Sequence, residues 1–234
     1  MAGERSSADG RQARWSKHNE ERRRQIIDAA IEVLEERAPG AEIHVQQIAA
    51  RAKVNRTVVY RHFADRADLD QAVQRAILER LWERLLPEVS LDGTVPQIIE
   101  RIVGTYVAWA VEHPSLHRVA DHDVSADGPL EKGLEHLAGR IAETIGVALV
   151  GLGAEPTEEE AAALDPLVYG LVGAVFNAVR RWVARPGSVL TPVALTHITS
   201  RSVWFVIAGH ARDLGVEIDP DRTIEELLTA PAAS

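Results

Sequence analysis

"IAARAKVNRTVVYRHF", residues 48–63, holds four basic side chains (Arg51, Lys53, Arg56 and Arg61) and no acidic one, in a chain whose formal net charge is −9. Sixteen consecutive residues without a carboxylate are out of character for an acidic protein. The stretch reads as two short helices joined by a tight turn at "KVN". Ala49 and Ala52 are small enough to let the helices cross closely, and Ile48, Val54 and Val59 supply a little shared core. That is the pattern of a helix-turn-helix. Its second helix enters the major groove of DNA, N-terminal residues first, and a carboxylate there would meet phosphate. The absence of acids follows from that placement.

The flanks fit the same reading. Residues 1–86 carry 16 Lys and Arg against 14 Asp and Glu, net +2, whereas residues 87–234 carry 10 against 21, net −11. A polyanion partner for the N-terminal segment accounts for such an asymmetry. Residues 1–18 read as a disordered basic arm, whose Arg5, Arg11, Arg14 and Lys17 either contact phosphate or the minor groove or form an ordinary frayed tail. Asn19 with Glu20 and Glu21 resembles an N-cap with an acidic first turn. Ile26, Ile27, Ala30, Ile31 and Leu34 then recur at helical spacing up to Pro39 and Gly40. A short helix follows at 45–52, with His44 as an unusual cap and Gln47 placed to fold back over it. Asp65 with Asp68 marks the start of a fourth helix, which runs to Leu86 before Pro87 with Leu69, Val73, Ile77, Leu81 and Leu85 on one stripe. Further helices are predicted near 94–112, 114–122, 130–152, 158–185 and 191–214, separated by breakers such as "SADGP" and "RPGS".

The expectation is an all-α protein: an N-terminal three-helix helix-turn-helix DNA-binding domain (19–66), then a helical bundle for ligand binding and dimerisation (67–234), with helix four (66–86) as connector. On the N-terminal domain, Arg56, Thr57 and Val58 are expected at base edges, and Tyr60, Arg61 and His62 at phosphate or base. Arg66 is expected at phosphate, with Gln46, Lys53 and Asn55 also on the DNA side.

The segment "VQQIAARAKVNRTVVYRHFADRADL" resembles the N-terminal DNA-binding domain of the tetracycline-repressor (TetR) family of transcriptional regulators. The family pattern runs I-A-x-x-A-G-V-S-x-x-T-[LIV]-Y-x-[HY]-F-x-x-K-x-x-L, and Ile48, Ala49, Ala52, Val54, Val59, Tyr60, His62, Phe63 and Leu69 match it in register. Lys53 stands where the family has Gly. A positive φ kept at that position by a non-Gly residue costs roughly 1 kcal/mol. Asn55 replaces a Ser cap, Val58 a Thr, Arg66 a Lys and His44 a Thr cap. The resemblance implies a small-molecule-binding helical domain that dimerises through its last two long helices.

Those helices are rich in apolar residues. Leu164, Val168, Leu171, Val175 and Val179 on the first, with Ile198, Val203, Trp204 and Ile207 on the second, are the expected dimer contact, a two-fold four-helix arrangement. Gly170 and Gly173 allow close approach. Trp82, Tyr106, Trp109, Tyr169, Phe176 and Asn177 are the expected walls of a mainly apolar cavity.

Other signals carry less. His113, His117, Asp121, His122 and Asp123 include i,i+4 pairs capable of holding a metal, but they fall at an ordinary helix start, and no metal is expected. "DVSADGPLEKGL" opens like an EF-hand, yet Leu134 stands where the bidentate Glu belongs. "GLGAEP" lacks the third Gly of a dinucleotide fingerprint. The chain has no cysteine, which excludes disulfides and thiolate chemistry. The N-terminus has no apolar signal-peptide core, and the run "IGVALVGLGA" is far short of a membrane span. The function read from all this is a cytoplasmic, homodimeric, sequence-specific regulator of transcription. It needs no cofactor, is not an enzyme, binds a palindromic operator in double-stranded DNA, and acts as a repressor released by a small, mainly apolar effector. The alternative is a helical carrier or enzyme that keeps a non-functional DNA-binding head.

Overall fold

The computed structural model describes residues 3–121, 128–185 and 187–229. Among them are ten α-helices and no strand: α1 (Gly3–Glu35), α2 (Val45–Arg51), α3 (Arg56–His62), α4 (Arg66–Leu85), α5 (Val95–Glu112), α6 (Pro114–Ala120), α7 (Pro129–Gly151), α8 (Glu158–Val183), α9 (Pro192–Asp213) and α10 (Ile224–Thr229). A single 3₁₀ turn, Leu86–Glu88, follows α4. The helical class and most boundaries fall where the 3.6-residue apolar spacing puts them.

Contacts divide the chain into two compact units. One runs up to Ile77 and includes the segment from Ser115 that forms α6; the other comprises Leu78–Pro114 and everything from α7 onward. The expected boundary at 66/67 thus differs from this division, which falls inside α4 and returns α6 to the N-terminal unit.

In the N-terminal unit, α1, α2 and α3 pack around Ile26, Ile31, Ile48, Val59, Phe63 and Leu69, all nearly inaccessible. Ala49 and Ala52 are buried at the crossing. Gln47 Oε1 accepts from the His44 backbone N–H at 2.8 Å, closing the start of α2. At the start of α4 the caps are reciprocal: Asp65 accepts from Asp68 N–H at 2.9 Å, and Asp68 accepts from Ala64 N–H at 2.9 Å. Helix α6 buries Leu116, His117 and Ala120. It is tied down by Ser115 Oγ donating to the Arg37 carbonyl at 2.8 Å and by Gln74 Nε2 donating to the Ala120 carbonyl at 3.1 Å.

Helix α1 corrects the expectation of a disordered arm. It begins at Gly3, so Asn19 lies inside it rather than capping it. Residues 3–35 contain no proline and are rich in Arg, Glu and Ala, so local propensity gives the helix no reason to stop at Asn19.

In the C-terminal unit, α5 packs on α8 and α9, and α7 on α8. Thr94 with Gln97 and Thr157 with Glu160 form capping boxes at α5 and α8, and Thr191 caps α9. Helix α10 is absent from the sequence-based prediction. Six residues are too few to show a period, but "TIEE" carries a capping box: Thr223 Oγ1 accepts from Glu226 N–H at 3.2 Å, and Glu226 accepts from Thr223 N–H at 2.9 Å. Ile224 is buried, and its N–H reaches the Gly93 carbonyl at 3.0 Å.

Candidate functional site

Helix α3 buries Val59 completely and exposes Arg56, Thr57, Tyr60 and Arg61. At 100° per residue those four span an arc of about 140°, so they form one face. Val58 and His62 sit half-buried at its edge. The Arg56 guanidinium lies 5.4 Å from the Tyr60 ring centroid, a cation–π contact that holds both side chains on that face. Asn55 occupies the N-cap position in extended conformation, but its exposed side chain makes no cap hydrogen bond. Gln46, on the first turn of α2, and Lys53, in the turn, are exposed. Lys53 adopts φ +54°, the sole positive φ at a non-glycine among the described residues.

Ion pairing sorts the cations of this unit. Arg51 is engaged by Glu32 at 3.1 Å and Glu36 at 2.5 Å; its hydrogen bond to Glu36 holds that carboxyl below its usual range. Arg66, expected at phosphate, is held by Asp70 at 2.7 Å and donates to the Ile43 carbonyl at 2.7 Å. It ties α4 to the chain entering α2. Lys53, Arg56 and Arg61 have no carboxylate partner among the described residues, so the α3 face and the adjoining turn carry unpaired positive charge. Burial, then the charges of Arg22, Arg23 and His18, hold His62 below its ordinary value. At neutral pH it is therefore an uncharged edge group, not a phosphate cation. Its carbonyl accepts from Arg23, which also stacks 4.1 Å over the Phe63 ring. Arg22, on α1, borders the same turn and is not among the expected DNA residues, because nothing in its local sequence links it to a turn thirty residues away.

The C-terminal unit contains an apolar cavity of about 100 Å³, lined from α5, α7, α8 and α9 and by Leu85 at the end of α4. An apolar cavity of about 150 Å³ takes up benzene, so this one suits at most a ring-sized apolar body unless its walls move. Tyr106 and Phe176 line it, stacked at 4.3 Å. Trp82 stands behind them, tilted against Phe176 at 6.2 Å. Trp109 is buried beside His113 at 5.9 Å, away from the wall. Tyr169 donates to Glu131, and that bond together with burial pushes its hydroxyl up to about 12. Asn177 is on the outer surface: it donates to the Gly173 carbonyl at 2.8 Å and accepts from Arg180 at 2.9 Å. It is not part of the cavity.

The expected dimer residues mostly turn inward. Val168, Leu171, Val175, Val203 and Ile207 line the cavity. Val179 is fully buried, Leu164 packs against Ala138, Ala142 and Val168, and Trp204 is half-buried. Of these nine residues, Ile198 alone is exposed in the protomer. The outward face is a different stripe: Leu167, Gly170, Ala174 and Asn177 on α8, with Ile198, Phe205 and Val206 on α9. A Cβ added at Gly170, Gly173 or Gly209 would meet nothing within 4 Å, so these glycines answer no packing need inside the protomer. Helix α8 is long and apolar enough to cross a membrane by length and composition, with only 17% of its most apolar window buried. A helix apolar on both faces gives no sequence clue to which face is the inner one.

No group of three or more His, Asp or Glu placed to hold a metal occurs among the described residues. His117 is buried within the N-terminal unit. His122, Asp123, Ser125 and Asp127 lie outside the described residues, and Gly128 caps α7.

Residues 26–73 match the family described as bacterial regulatory proteins, tetR family. The chain is 29% identical over 202 residues to an uncharacterised HTH-type transcriptional regulator of Mycobacterium tuberculosis, an overlap of 86% of this chain and 83% of that one. Its fold is similar to the crystal structure of a tetR-family transcriptional regulator from Streptomyces coelicolor (TM-score 0.63, 21% identity, 84% and 86% of the two chains). It is also similar to the structure of RolR in complex with resorcinol (TM-score 0.57, 16% identity, 94% and 98%). At those identities the structural likeness concerns the fold.

Proposed function

We propose, for a chain whose residues 26–73 match the tetR family of bacterial regulatory proteins, that it works as a homodimeric repressor in the cytoplasm and leaves its operator when a small apolar effector occupies the C-terminal cavity. The observation that carries this reading is the α3 face. Arg56, Thr57, Tyr60 and Arg61 are presented together to solvent, while Glu32 and Glu36 are engaged by Arg51 and Asp70 by Arg66. Arginine reads guanine bidentately, and a Thr methyl meets the thymine methyl. A carrier or enzyme keeping this head as scaffold has no use for such a face.

The exposed α8–α9 stripe supports a two-fold contact between copies, which sets two recognition helices about 34 Å apart to read a palindrome in successive major grooves. Helix α4 supplies the mechanical link within the chain. Its Leu85 end lines the cavity, and its first turn follows directly from α3. An effector that needs a wider cavity displaces Leu85 and favours a spacing of the heads that no longer fits DNA. To move that equilibrium from 1:99 to 99:1, it must discriminate between the two states by about 5.5 kcal/mol. RolR binds resorcinol, a ring-sized molecule; a body of similar size but lower polarity matches the apolar wall here.

Footprinting on DNA flanking the coding region, followed by selection from random duplexes, tests the proposal. A protected near-palindrome whose affinity drops steeply with salt supports it. Failure of selection to enrich any sequence overturns it.

A further inference from the structure

We propose that Arg22 and Lys53 form a two-point clamp on the DNA backbone beside the recognition helix, binding phosphodiester oxygens without reading sequence; the clamp rests on the DNA-binding function above.

The two cations come from separate elements, α1 and the α2–α3 turn, and border one solvent-open groove together with Val54, Asn55 and Val58. No acidic side chain lines that groove. The adjacent groove on the far side of Lys53 differs: there Glu21, Asp28 and Glu32 stand among Arg24 and Arg51. Neither Arg22 nor Lys53 has a carboxylate partner among the described residues.

Arg22 is also positioned. Its Nη1 donates to Gln25 Oε1 at 3.0 Å, and Gln25 Nε2 donates to the Ala52 carbonyl at 2.9 Å. This relay links the guanidinium to the residue immediately before Lys53, so the two charges hold a common register on a single turn. A guanidinium fork and an ammonium point charge are the two side chains suited to phosphate.

Lys53 supplies an independent sign. Its φ of +54° is a left-handed conformation that glycine adopts freely and lysine does not. Backbone strain kept at an exposed position, where a smaller residue would relieve it, marks a side chain retained for what it contacts. Phosphate contacts of this kind fix how a recognition helix sits in its groove and leave the choice of bases to the α3 face.

The test measures anisotropy of the purified full-length protein on two fluorescent duplexes of equal length, the selected operator and its scramble, between about 50 and 200 mM salt. The variants are Arg22→Gln and Lys53→Gly, with Arg56→Ala for comparison. Each neutralised phosphate contributes about 0.9 to the slope of log affinity against log salt. A dimer carries two clamps, so each clamp substitution lowers the slope by about 2, and weakens operator and scramble alike. Lys53→Gly does so with thermal stability equal to or above the parent, which rules out misfolding as the cause. Arg56→Ala instead narrows the preference for operator over scramble. Unchanged slopes in both clamp variants, with the parent binding normally, overturn the clamp and leave the DNA-binding reading standing. A clamp variant that alters operator preference overturns it as well. A parent protein that binds neither duplex overturns the DNA-binding reading, and the clamp falls with it.

Discussion

Replacing Phe205 by alanine and by arginine tests the α8–α9 contact at its most exposed aromatic residue. Phe205 keeps 61% of its surface in the protomer, with Arg201 stacked 5.5 Å from its ring. Complete burial of a Phe side chain stabilises by about 1.5–3 kcal/mol. Covering the remaining three-fifths therefore contributes about 1–2 kcal/mol per protomer, and two-fold symmetry doubles this to about 2–4 kcal/mol. Truncation to alanine should weaken the dimer by roughly 30- to 700-fold, at about 1.4 kcal/mol per factor of ten. Arginine should do more, because it brings like charges into the same apolar contact and strips their water. The side chain supports little of the protomer's own core, so each variant should keep its helical circular dichroism. Sedimentation velocity over a concentration series reads the monomer–dimer constant directly, and operator affinity should fall with it, since a lone head holds one half-site. A Phe205→Arg protein that stays dimeric with an unchanged constant would refute the argument. The contact would then lie on another face, and the open space beside Gly170, Gly173 and Gly209 would need a different explanation.

Three further outcomes follow from local geometry. Arg66→Ala removes the bonds to Asp70 and the Ile43 carbonyl; after discounting for exposure this amounts to about 1 kcal/mol, or a melting temperature lower by about 2–4 °C. Its salt slope on DNA should hardly change, and a slope reduced by about 2 at unchanged melting temperature would return Arg66 to the phosphate. His62 is held below its ordinary value by burial and by the charges of Arg22, Arg23 and His18. The unfolded chain takes up a proton near pH 6.5 that the folded chain resists, so stability is lost as pH falls below about 6.5. The melting-temperature difference between the parent and His62→Asn should therefore shrink steadily from pH 7 to 5, and a constant difference would contradict the assigned cause. At Gly133, an added Cβ would lie 2.3 Å from the Trp82 indole. Gly133→Ala should cost about 1–3 kcal/mol by overpacking, partly recovered when Trp82→Phe is added; thermal melts showing no loss would mean that the indole has room to swing away.

What the sequence determined by itself is local. The acid-free run, the small residues at Ala49 and Ala52, the Asp65–Asp68 cap and most helix boundaries depend on neighbours within a few positions, and these are readable from spacing and side-chain chemistry. That Lys53 stands where a glycine is usual came from the family resemblance, and the residue has φ +54°. The tertiary structure alone decided which charges are free and which faces look inward. Arg66 is spent on a carbonyl 23 residues away, and Arg22 reaches a groove across the fold. Helices α8 and α9 carry apolar residues around most of their circumference, so the sequence reading assigned to a partner copy residues that periodicity could not divide between an inner and an outer face. Leu164, Val168, Leu171 and Val175 went to the protomer's own core and cavity, and Leu167, Ala174 and Phe205 were left outside. Helix α6 joined the N-terminal unit through bonds from Ser115 and Gln74 that span 78 and 46 residues. Spacing along a helix tells which residues share a face, whereas the partner of that face is chosen by packing between segments far apart in the chain.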